Sequence, residues 1–187
     1  MSERNNAAER AIGAVWESHF CRMGTVYGKV LTAHQLRSPN ASACAFGAPL
    51  IAGRPRRWLL PDITIWSAPG EDHEVKHKNQ SFDGCYGLEV YRLDALVEWA
   101  VLTGRKVYYT IHDWEIAGAS CSSDEIGNSI DHWFTADVLD LRDRSTKNGR
   151  DWTWRNGKRA LEDMRYWTPR HFGPLAELWT SERAPGL

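Results

Sequence analysis

The sequence predicts an α/β fold, with a mixed central β-sheet flanked by helices in the order helix, strand, strand, strand, helix, strand over about residues 6 to 114, and then a helical, Trp-rich extension over about 115 to 180. Three observations carry this prediction. Residues 6 to 21 repeat Ala8, Ala11, Ile12, Val15, Trp16, His19 and Phe20 at helical spacing. Residues 58 to 78 hold two β-branched and aromatic runs, Leu59 to Trp66 and His73 to Lys78, around a Pro69-Gly70 turn, which reads as a hairpin. A helical-period segment, Leu88 to Leu102, then precedes a second apolar run, Arg105 to His112; a strand, a long helix and a strand form a parallel crossover.

Taken in order, Asn5 or Asn6 caps the first helix, and Glu9, Gly13 and Glu17 fall four apart on one edge of it. Gly24 to His34 has strand character, with a bulge or bend at Gly28. Residues 37 to 57 are loop-like and end in Arg54, Arg56 and Arg57, which either touch phosphates or solvate a loop. After the hairpin, 79 to 84 is a loop, and Gly104 ends the second helix as its C-terminal cap. Residues 115 to 128 read as a loop, Ile130 to Leu141 as a helix, Lys158 to Trp167 as a short helix, and 181 to 187 as a frayed tail. One domain spans 1 to 187.

Composition excludes several classes. The net charge of −1 argues against a protein that coats nucleic acid unspecifically, although not against one with a local groove. Cys21, Cys44, Cys85 and Cys121 are isolated, without the spacing of a zinc site, and fit buried thiols in a reducing cytoplasm. No run reaches the roughly 18 apolar residues of a membrane span, and the polar N-terminus has no signal-type core. The expectation is a cytoplasmic protein. The 10 Trp residues serve cores, interfaces or base stacking equally well.

The chemistry lies in the hairpin. Strand alternation puts Glu74 and Lys76 on one face with Val75 on the other, and Asp62, near the start of the opposing strand, is at a height to meet them. Two convergent carboxylates form a hard oxygen site for Mg2+, and a lysine beside it can orient or help deprotonate the attacking water and neutralise charge on phosphorus. The alternative is a cross-strand salt bridge on a solvated face. His73 and His77 fall on the opposite face, and His112 and Asp113, being adjacent in a strand, form no dyad.

Pro61-Asp62, a hairpin, then Glu74-Val75-Lys76 resembles the signature of the PD-(D/E)XK nuclease superfamily, and Gly13 to Glu17 resembles its Gly-x-x-x-Glu element on the first helix. The resemblance implies a restriction-endonuclease-like core and a metal-dependent nuclease, a DNA endonuclease above all. It implies Asp62, Glu74, Lys76 and Glu17 as catalytic residues. Asp62, Glu74 and the Val75 carbonyl would hold Mg2+, with Mn2+ able to substitute. It further implies a DNA partner and a homodimer, since cutting two strands suits a two-fold axis. The branch of the superfamily with Gln-x-x-x-Tyr after the lysine is not supported, because Gln80 is followed four residues on by Gly84; Gln80 still lies near the site. Lys147, Arg150, Trp152, Trp154 and Arg155 stand in a basic stretch that either lies along nucleic acid and stacks bases or forms a polar hairpin with its Trp residues on the core. Two other readings stay open: a nuclease-like fold that binds nucleic acid or protein without cleaving, and a structure-specific endonuclease of the Holliday-junction-resolvase type.

Overall fold

The computed structural model describes residues 15–34, 50–51, 54–55, 61–78, 83–113, 129–155 and 158–181. Its centre is a six-stranded mixed sheet in the order β1 (Leu31–Ala33), β4 (Ile63–Ile65), β5 (Glu71–Lys78), β7 (Lys106–Asp113), β8 (Trp133–Asp137), β11 (Gly173–Pro174). Only β5 and β7 pair in parallel; the other neighbours are antiparallel. A second sheet joins β6 (Tyr86–Glu89), β10 (Lys158–Trp167) and β9 (Lys147–Arg155), all antiparallel. β2 (Leu50–Ile51) and β3 (Arg54–Pro55) form a small ribbon.

The expected hairpin is present: β4 and β5 are antiparallel, with Ile63 opposite His73 and Ile65 opposite Glu71. Helix α2 (Val90–Thr103) is the crossover between parallel β5 and β7, and Gly104, at φ 68°, caps it by donating its N–H to the Ala100 carbonyl. Leu93, Leu96 and Ala100 of α2 pack on Val107, Tyr109 and Ile111, the β7 residues of one sheet face. On the opposite face lies the first helix, α1, described over 15–26, whose Trp16, Phe20 and Met23 pack against Ile63, Ile65, Val75, Trp133 and Trp179. Burial of a side chain such as Phe20 contributes about 1.5–3 kcal/mol, and two helices covering one sheet fix both its faces. Four Trp residues, Trp16, Trp133, Trp167 and Trp179, fill these two layers. Among the described residues, Trp thus serves the core more than the surface.

Several elements differ from the sequence expectation. α1 runs on to residue 26, because Met23 continues its buried stripe, and Gly28, at φ 74°, makes the turn; the strand foreseen over 24 to 34 shrinks to Leu31–Ala33. Leu88 belongs to strand β6, opposite Arg165, and α2 starts only at Val90. The helix foreseen over 130 to 141 is a 3-10 turn (Ile130–His132), strand β8 and a short helix α3 (Val138–Asp143). Ile130, Trp133, Phe134, Val138 and Leu141 have helical spacing, yet Trp133 packs under α1 and Phe134 on the α2 side, as the two faces of a covered strand do. The helix foreseen over 158 to 167 is strand β10, held by β9 and β6. Among its described residues the extension has the helices α3 and α4 (Leu175–Ser181), but more strand than foreseen. The readings made on residues 5–14, 35–49, 52–53, 56–60, 79–82, 114–128, 156–157 and 182–187, including Glu9, Gly13, Cys44, Arg56, Arg57, Gln80 and Cys121, lie outside the described residues.

Candidate metal centre

Alternation along β4 and β5 sends Asp62, Asp72, Glu74 and Lys76 to the α2 face of the sheet, and His73, Val75 and His77 to the α1 face. Asp72 belongs to the framework: Arg105 Nε donates to Asp72 Oδ2 over 2.9 Å and Trp99 Nε1 to the same oxygen over 2.8 Å, which ties the turn of the hairpin to the end of α2. Asp62, Glu74 and Lys76 meet one step further along. Lys76 Nζ lies 3.2 Å from Asp62 Oδ2 and 2.5 Å from Glu74 Oε1. Asp62 Oδ2 also accepts the Val75 N–H over 2.9 Å, and the Val75 carbonyl accepts from Lys76 Nζ over 3.3 Å.

The sequence reading missed Arg92, in the first turns of α2. Its Nη2 pairs with Glu74 Oε2 and lies 3.5 Å from Asp62 Oδ1. The signal was there: Arg92 precedes Leu96 by four residues and so stands in the apolar stripe of α2, where a basic residue needs a buried partner. Each of the four carboxylate oxygens of Asp62 and Glu74 thus has one cationic neighbour, Lys76 on Oδ2 and Oε1 and Arg92 on Oδ1 and Oε2. Both carboxylates are fully buried, while the Lys76 side chain is 32% exposed and gives solvent its approach.

Glu17 of α1 completes the cluster from the other side. It is 7% exposed, and its Oε2 has no hydrogen-bond partner. Burial, reinforced by the negative charges of Asp62 and Glu74, pushes its carboxyl up to about 8. The charges divide the other two acids. Burial and the Glu74 charge raise Asp62, whereas Glu74, despite its burial, is held down to about 2 by Arg92 and then Lys76. Lys76, against the desolvation of burial, is raised above its ordinary value by Asp62 and Glu74.

Asp62, Glu74 and the Val75 carbonyl offer oxygens of the kind a hard divalent cation takes, and Glu17 Oε2 is a further buried carboxylate oxygen with no hydrogen-bond partner. Among the described residues no group of three or more His, Cys, Asp or Glu side chains is already spaced as a metal site.

The remaining candidates separate. His73 accepts or donates with Thr110 Oγ1 at 2.7 Å inside the core, His77 and His112 stack on Trp16 at 4.0 and 4.2 Å, and Asp113, on the other face, accepts from the Tyr86 hydroxyl. The histidines are framework, as foreseen. The basic stretch is the β9–β10 hairpin. Lys147 pairs with Asp83, Arg150 Nε lies 3.2 Å from Asp163 Oδ1, and Trp152, opposite Leu161, is 56% exposed rather than packed on the core. The side chains of Arg54, Trp154 and Arg155 lie outside the described residues. A cavity of about 370 Å3 lined by Tyr108, Asp137, Asp140, Arg144, Arg170 and His171 among others shares no residue with the acidic cluster.

The architecture is a mixed α/β fold with a central mixed sheet flanked by helices, of the kind the hairpin motif implied. It is similar to the 1.6 Å structure of a Holliday junction resolvase from the archaeal hyperthermophile Archaeoglobus fulgidus, with a TM-score of 0.50 and 12% sequence identity over 88% of this chain and 97% of that one. That likeness is one of fold. No protein-family model matches the sequence, and no curated protein is significantly similar to it. Among the described residues no helix is long and apolar enough to cross a membrane.

Proposed function

We propose that the chain is a metal-dependent nuclease that hydrolyses phosphodiester bonds, acting as a DNA endonuclease. The observation that carries this reading is the meeting of Asp62, Glu74 and the solvent-reached Lys76 on one face of the hairpin, with Glu17, whose buried Oε2 has no hydrogen-bond partner, within their electrostatic reach. In this reading Asp62, Glu74 and the Val75 carbonyl hold Mg2+ or Mn2+, with Glu17 as an additional carboxylate. When bound, the cation acts as a Lewis acid that neutralises charge developing on phosphorus. Lys76, beside both acids, positions or activates the attacking water and balances charge developing on phosphorus. The β9–β10 hairpin offers Lys147, Arg150 and the exposed Trp152, with Trp154 and Arg155 in the same stretch, to a nucleic-acid backbone and its bases; Arg54, Arg56, Arg57 and Gln80 complete the proposed contacts. The chain works as a homodimer in this reading, one active site for each strand.

A narrower reading, that the substrate is a branched junction, is supported by the fold likeness across nearly the whole archaeal resolvase. The test is incubation with supercoiled plasmid, linear duplex, single strands and a four-way junction in Mg2+, Mn2+ or EDTA. Cleavage that needs the metal supports the nuclease, and cleavage confined to the junction supports the narrower reading. Binding without cleavage in any metal would turn the assignment to a nuclease-fold binding module.

A further inference from the structure

We propose that Arg92 is a built-in counter-cation that competes with a divalent ion for Asp62 and Glu74, so that the site accepts metal only when the guanidinium withdraws. The inference rests on the nuclease reading and deepens it. Arg92 and Lys76 occupy all four oxygens of the two carboxylates between them, and an oxygen-seeking cation needs those same lone pairs. Lys76 stands two residues from Glu74 on the same face of one strand. Arg92 comes from a different element, α2, on a long stem, and bridges the two acids from outside the motif. A merely structural arginine would leave the acids with one cation for two charges if it were lost; a competing one leaves a vacated pair that a divalent ion fills and neutralises. The protein without metal is thereby kept from presenting two buried carboxylates with Lys76 as their one cation, an imbalance that is costly.

The experiment is Mn2+ and Ca2+ titration calorimetry without nucleic acid, beside thermal melts in EDTA and in each ion. It compares the natural protein with Arg92→Gln, Arg92→Lys and Asp62→Asn. Arg92→Gln is expected to bind Mn2+ at least about tenfold more tightly, a change of about 1.4 kcal/mol. It is also expected to melt lower in EDTA and to recover more than the natural protein does when Mn2+ is added. Arg92→Lys, which keeps the charge, stays within about threefold of the natural affinity. Mn2+ binding by the natural protein that is lost in Asp62→Asn but no tighter in Arg92→Gln overturns the inference and leaves the nuclease reading standing. Absence of Mn2+ binding in the natural protein and in Arg92→Gln overturns both. Should Arg92→Gln fail to fold in EDTA, refolding on addition of Mn2+ supports the competition, and failure to refold contradicts it.

Discussion

Replacing Glu17 by Gln isolates the electrostatics of the cluster. The Glu17 carboxyl has an ordinary value of 4.5 and is pushed to about 8 in the fold, first by burial and then by Asp62 and Glu74. A carboxyl raised in the folded state holds its proton more tightly there than in the unfolded chain. Its favourable contribution is therefore complete below about pH 4.5 and is lost as pH climbs through about 8. At ~1.36 kcal/mol per pH unit, the interval from 4.5 to about 8 sets a ceiling of ~5 kcal/mol on that loss. Glutamine keeps the shape of the neutral acid and cannot ionise. The variant should match the natural protein near pH 4.5 and exceed it in stability by several kcal/mol at pH 9. For a chain of this length each kcal/mol moves the melting temperature by about 2–4 °C. Thermal and urea unfolding from pH 4.5 to 9, in EDTA so that no cation rebalances the charge, reads the difference directly. Two curves that stay parallel across that range would refute the account of Glu17 as the uncompensated acid of the cluster.

Other expectations concern the frame around the site. Arg105→Ala strips the buried Asp72 of its ion pair and frees the Ile65 and Glu71 carbonyls, so urea unfolding should show a loss of about 3–5 kcal/mol. Gly87→Ala places a Cβ 2.7 Å from the Tyr166 ring at the β6–β10 junction; chemical denaturation should register about 1–3 kcal/mol of destabilisation. Trp152→Ala removes an exposed ring, so stability should change by no more than about 0.5 kcal/mol. Its affinity for a labelled DNA should fall by about 1–3 kcal/mol in anisotropy titrations, the range for one lost stacking platform.

What was legible in the sequence was what neighbouring residues decide. The two-residue period of a strand is local, so the shared face of Glu74 and Lys76, the opposed histidines and the separation of His112 from Asp113 could all be read along the chain. The Pro-Gly turn marked the hairpin, Gly104 marked the end of α2, and the crossover followed from the lengths between them. What escaped is decided by partners distant in sequence. β6 and β10 pair across more than seventy residues, and Leu161, Met164 and Trp167, three apart, imitate a helix although Met164 and Trp167 are buried on opposite faces of one strand. β8 misled for the same reason, because a strand covered on both sides loses its alternation. Arg92 escaped because a basic residue in a helix reads as solvated until the acids that bury it are placed beside it. The ten tryptophans carried no assignment of their own, and only the packing separates Trp133 at the centre from Trp152 at the surface.

The central claim is tested most directly by comparing DNA cleavage in Mg2+ by the natural protein and by Lys76→Ala, with Lys76→Arg as the charge-keeping control and circular dichroism as the check on folding. Loss of Lys76 leaves Asp62 and Glu74 with Arg92 alone, so the alanine variant is expected to be less stable yet folded in Mg2+. The account predicts cleavage by the natural protein that EDTA abolishes, and none by folded Lys76→Ala. Undiminished metal-dependent cleavage by folded Lys76→Ala would contradict it.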